Sequence, residues 1–352
     1  MREGSLDYVI AVLKGETATV EPDWYETLGF LYCHRIVGLF YSRAKALGIA
    51  LPKKIEKLLE SAYIAQTHRN RFMRKWIRRI AIALSVANVE YMMMKGSVLS
   101  NAFLCDCETL YCEGERISND IDILVFTDNV TALTNVLKKM GFVQGKYDSK
   151  TREIIPFSRV ELINRRLNRG ETAPFLKCTS HPEVPFIEVD VNFSLGYTPK
   201  EDKELLSEMF GRRRWYKGYA PMHAAKKEYF FLQLLLHQYK ESELYFMVEQ
   251  NKDLDLYKLA DIYYIWNSGM LDMTELEDIC CRFGLTTKVG AVLGQVGRVF
   301  KDEDMLFAAG RYGNVVPEVV NTTTKKTYRW TANERERLLR LDAKELLEEV
   351  DG

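Results

Sequence analysis

The run Asn119-Asp120-Ile121-Asp122-Ile123-Leu124-Val125 permits few folds, because acids and branched apolar residues alternate along it. At the two-residue period of a strand, Ile121, Ile123 and Val125 take one face while Asp120 and Asp122 take the other. Two carboxylates held that close repel each other unless a cation sits between them. Upstream, Lys95-Gly96-Ser97 follows the apolar run Tyr91-Met92-Met93-Met94, where a strand is expected to turn into a helix. Backbone N–H groups at a helix start, beside a small residue, can cradle phosphate. A phosphate cradle facing a divalent-metal pair is the arrangement that phosphoryl and nucleotidyl transfer require. Strand direction narrows the choice. The apolar residues Ile123 to Phe126 follow the acids and the polar run Gly114 to Asn119 precedes them, so the pair sits at the entrance of its strand. In phosphatases with an aspartyl nucleophile, and in many sugar transferases, it comes at the end.

A second alternation, Phe186-Ile187-Glu188-Val189-Asp190-Val191-Asn192-Phe193, puts more acids on one strand face. Alone, it also describes an edge strand with a solvated acidic face. The order of a Lys-Gly-Ser turn, Arg116, a strand opening Asp-x-Asp, a helix ending in Gly141-Phe142 and a later acidic strand resembles the DNA polymerase β-like nucleotidyltransferase superfamily. More closely, it is similar to a bacterial nucleotidyltransferase family that is mostly uncharacterised. The resemblance covers residues 90 to 195 well and the following helices weakly. It implies an α+β fold, with a small mixed-sheet nucleotidyltransferase core flanked by N- and C-terminal helical regions.

The resemblance also implies site roles. Asp120, Asp122 and Asp190 would be catalytic and hold Mg²⁺ or Mn²⁺, with Glu188 the alternative third acid. An NTP would be the donor, and Gly96, Ser97, Lys95 and Arg116 would bind it. An acceptor hydroxyl would lose its proton toward Asp190, attack the α-phosphorus and release pyrophosphate; the acceptor itself, a small molecule, peptide or protein, stays open. His-Trp commonly follows the third acid in close relatives where this chain has Asn192-Phe193. The same fold can also persist after loss of catalysis as a binding or regulatory module acting through a protein partner.

The chain has 352 residues, enough for two or three packed units, and the boundaries read as 1–89, 90–198 and 199–352. Lys plus Arg equals Asp plus Glu at 49 each, which counts against a long nucleic-acid partner without excluding a local basic patch. Nucleic-acid end modification therefore rests on two local features, the basic helix around residues 69–79 and the turn Arg212 to Arg214. Seven cysteines without a regular framework suggest a reducing compartment. No apolar run reaches bilayer length and the start lacks a signal-peptide core, so the expected place is the cytoplasm, with no membrane partner.

Four further features carry alternatives. In the helix expected from Pro52 to about Ala87, Arg71, Arg74 or Arg78 would either lean toward a triphosphate or form a solvated basic face. Cys105, Cys107 and Cys112 lack a Cys-x-x-Cys pair and read as ordinary thiols more readily than as a zinc site with Cys178 or His181. Arg116 stands four residues before Asp120, within reach of a phosphate, and can equally be a surface residue. His237 and Asp261 sit on apolar helices, where a structural hydrogen bond is the ordinary role.

Overall fold

The computed structural model describes residues 1–18, 20–102, 104, 109–196 and 203–350. The chain forms two compact units, one of residues 65–230 and the other of residues 1–64 with 231–352.

Unit 65–230 is built on an eight-stranded sheet. Its strands are β1 (Met92–Met93), β2 (Asp120–Leu124), β3 (Val143–Asp148), β4 (Glu153–Pro156), β5 (Phe175–His181), β6 (Val184–Asn192), β7 (Arg214–Tyr216) and β8 (Met222–Ala224). They lie side by side in the order β4-β3-β5-β6-β2-β1-β8-β7. β2 runs parallel to β6 and antiparallel to β1, and β1 is parallel to β8, so the sheet is mixed. Together with the surrounding helices this makes an α+β fold. Ile121, Ile123, Ile187, Val189 and Val191 are all fully buried. Each such side chain contributes roughly 1.5–3 kcal/mol relative to exposure. That burial fixes the phase of both strands, since a slip of one residue would turn the acids into the core.

The helix after β2, Val130–Lys139, buries Val130, Leu133 and Leu137 and gives way to Gly141 at φ +84°, a left-handed position that suits glycine. The long helix Lys53–Val86 follows Pro52, as the pattern predicts. Its buried stripe on this unit is Met73, Ile77, Ile80, Ala81 and Leu84, while Phe72 and Trp76, expected on that stripe, are only half-buried.

Several elements differ from the sequence reading. Met222-His223-Ala224 precedes a strongly apolar helical pattern, yet the helix begins only at Lys227, because Met222–Ala224 pairs with both β7 and β1 as β8. The basic turn expected at Arg212 to Arg214 runs directly into β7. The capped helix Arg159–Asn168 and strand β5 carried no clear period.

The other unit is mainly helical. It also holds a three-stranded sheet of β9 (Val319–Val320), β10 (Thr327–Trp330) and β11 (Leu347–Glu349), in the order β11-β10-β9. The charged segment 333–349 holds the short helix Glu334–Leu338, capped by Asn333, before the chain turns into β11. Among the described residues, no helix is long and apolar enough to cross a membrane.

Candidate active site

Parallel pairing of β2 with β6 sets Asp120 beside Glu188, Asp122 beside Asp190 and Leu124 beside Asn192. Paired residues project to the same side, so the two acidic faces become one. One carboxylate oxygen from each of Asp120, Asp122 and Asp190 lies within 4.8 Å of the others, the only such convergence of His, Cys, Asp or Glu among the described residues. Asp122 is 4% exposed, and Asp120 and Asp190 are partly so. Glu188 stays outside this close group, although its charge is felt at Asp190.

Burial, and then the neighbouring Asp122 carboxylate, hold the Asp120 carboxyl above its ordinary range. Asp190 is pushed up further, by burial first and then by Asp122, Asp120, Glu188 and Glu171. Three oxygen donors under mutual repulsion fit a hard divalent cation such as Mg²⁺ or Mn²⁺ better than zinc. A raised carboxyl pKa stabilises the fold below the unfolded value of 3.8 and loses that contribution as pH climbs through the raised native value. A cation needs those protons gone, so its binding should release protons and tighten as pH rises through the raised values. Calorimetric Mg²⁺ titrations in buffers of different ionisation enthalpy check this; identical heats would mean that neither acid gives up a proton.

Cations face the acids. Lys95 Nζ donates to Asp122 Oδ1 at 2.8 Å, and Lys95 takes a left-handed φ of +46°, at a cost of about 1–2 kcal/mol for a side chain with a Cβ. Arg116 is buried and its Nη1 donates to Ile117 O at 2.7 Å. Its guanidinium draws the Asp120 carboxyl downward, against the dominant effect of burial. At Gly96 an added Cβ would lie 2.6 Å from Ser118 Oγ and 2.7 Å from Arg116 Nη1, so a larger residue would force those two side chains to move. Ser97 is 1% exposed, and its Oγ finds no hydrogen-bond partner among the described residues. The same holds for Asn192 Nδ2, on the strand face that carries Asp190. Buried polar atoms of this kind are rare and mark a place where a ligand or water supplies the missing bond.

The basic helix meets partners of its own. Arg71 and Arg74 both bind the Glu113 carboxylate, at 2.6 and 2.7 Å, and Arg69 reaches Asn119 Oδ1 at 3.0 Å. Asn70 Nδ2 donates to the carbonyls of Glu113 and Arg116. This helix therefore clamps the segment leading into Asp120. Sequence reasoning missed Asn70 and Glu113, whose partners lie some forty residues away with no local pattern to announce them. It also missed Glu171, which faces Asp190 from the segment bridged to Asn192.

Cys105 and Cys107 lie outside the described residues. Cys112 and Cys178 are exposed cysteines, and the His181 ring packs on Phe72 with centroids 4.5 Å apart. His237 and Asp261 belong to the other unit, where His237 Nε2 sits 3.4 Å from Glu241 Oε1 and Asp261 is buried.

Three converging carboxylates on a mixed sheet, beside a Lys-Gly-Ser turn, fit the broad class of proteins that handle nucleotide phosphates. Comparison with known families is specific about which: the model of a family described as uncharacterised nucleotidyltransferase matches residues 21–301, and the chain belongs to that family. No curated protein and no solved structure matches it.

Proposed function

We propose that the protein transfers a nucleoside monophosphate from an NTP to a hydroxyl or phosphate acceptor and releases pyrophosphate, on a polymerase β-like core. The convergence of Asp120, Asp122 and Asp190 carries this reading. These three residues would hold Mg²⁺ or Mn²⁺, which when bound supplies Lewis-acid stabilisation of the charge on the transferring phosphate. Asp190, with its raised carboxyl pKa, is suited to take the acceptor's proton as the new oxygen–phosphorus bond forms and the bond to pyrophosphate breaks. The Ser97 hydroxyl and the Lys95 ammonium are suited to the β- and γ-phosphates, and the Arg116 guanidinium to a phosphate oxygen.

Melting with each NTP, with and without Mg²⁺, tests the donor site. A ligand at one hundred times its dissociation constant stabilises the native state by about 2.7 kcal/mol. One NTP should raise the melting temperature, and only with Mg²⁺ present. If no nucleotide does so, the protein is a binding module without a donor site.

A further inference from the structure

The acid face of the sheet continues past β1 and β8 to the edge strand β7, and its surface there is aromatic and basic. Register carries the face across: Ile123 pairs with Met93, Met93 with Ala224 and Ala224 with Arg214. The residues one place away, Asp122 and Trp215, with His223 paired to Trp215, therefore share the opposite side. Trp215 is 51% exposed and is held edge-on by the His223 ring at 4.8 Å. Lys217, two residues further on, is exposed, while Arg214 belongs to the other face with Ala224. Tyr219, 49% exposed, has the Arg74 guanidinium 4.1 Å from its ring centroid. Its backbone N–H donates to Asn101 O at 2.9 Å, and Gly218 bridges to Ala102, which fixes this segment just beyond the helix Lys95–Leu99.

Charges alone on an edge strand guard it against pairing with other chains. A half-exposed tryptophan does the reverse, because it offers an apolar ring to whatever arrives. Aromatic rings interleaved with cations suit a polynucleotide, whose bases stack while its phosphates meet Arg and Lys. A duplex hides its base faces, so the partner is single-stranded. β7 lies three inter-strand spacings from β2, about 14 Å at roughly 4.8 Å each. The balanced net charge of the chain does not exclude a local patch; Arg71 and Arg74 are engaged by Glu113, and Lys217 stands exposed beside Trp215.

We infer that Trp215, Lys217 and Tyr219 form a docking surface for single-stranded nucleic acid, the acceptor of the transfer. The fate of its end rests on the function proposed above. The terminal hydroxyl oxygen would bond to the α-phosphorus, its proton passing to Asp190 and pyrophosphate leaving.

Fluorescence anisotropy with a short 5′-fluorescein-labelled single-stranded RNA tests binding apart from turnover. Wild type and Asp122→Asn should bind alike, and binding should fall steeply with salt. Trp215→Ala should weaken it about ten-fold or more, while Trp215→Phe keeps most of it. Absence of binding at low salt, wild-type binding by Trp215→Ala, or equal competition by a duplex of the same sequence would overturn the inference. So would an equal loss in Trp215→Ala of the NTP-dependent melting shift, since the ring would then stack on the donor base. Binding without label transfer would leave the surface standing and remove the transferase reading. Transfer to small acceptors without RNA binding would do the opposite.

Discussion

Asp122→Asn should abolish nucleotidyl transfer while leaving the fold intact. The substitution keeps side-chain volume and the strand position that Ile121 and Ile123 fix from the opposite face. It removes one charge from a repelling cluster, which relieves the upward pressure on Asp120 and Asp190, and it weakens the Lys95 contact from an ion pair to a neutral hydrogen bond. These effects oppose each other, so stability should change little. Metal affinity has no such compensation, because an amide oxygen carries no charge to hold a hard cation. Loss of one charged ligand should cost a thousand-fold or more in rate, about 4 kcal/mol in the barrier. A radiolabelled NTP with the accepting substrate gives the rate, and unfolding by denaturant gives the stability. Wild-type turnover in this variant would remove the acids from the chemistry, whereas loss of both turnover and fold would make them structural.

The two acidic strands were legible because each carries a full alternation, and alternation is a local property of sequence. What brings the acids together is not local. β2 and β6 are separated by three strands and two α-helices, and only their parallel register puts Asp122 beside Asp190 rather than Glu188. The same reasoning explains β8, where Met222-His223-Ala224 has no period of its own and runs toward a strongly helical segment. Pairing with β1 and β7 overrides that local preference. The basic helix shows a third limit. Its arginines were visible as a cluster, but their partner Glu113 sits in a polar run without secondary structure. Arg214 likewise reads as the end of a basic turn until pairing with Ala224 makes it the start of an edge strand.

Arg337→Met should strongly destabilise the fold. Arg337 Nη2 donates to Asp253 Oδ2 at 2.5 Å, both side chains are 3% exposed, and the guanidinium lies 3.5 Å from the Trp330 ring centroid. Asp253 also offers its backbone oxygen to Gln238 Nε2, so the helix Lys227–Glu243 and the segment after it share this anchor. Methionine fills much of the space but leaves a buried carboxylate without its cation, which costs about 3–5 kcal/mol. Unfolding by denaturant should show that loss. Adding Asp253→Leu should recover most of it, because removing both charges removes the desolvation cost along with the attraction. Equal loss in the single and double variants would mean that packing against Trp330, rather than the charge pair, holds this part of the unit. Since the pair and the acids lie in different units, surviving Arg337→Met protein should keep the Mg²⁺-dependent response to NTP that Asp122→Asn loses.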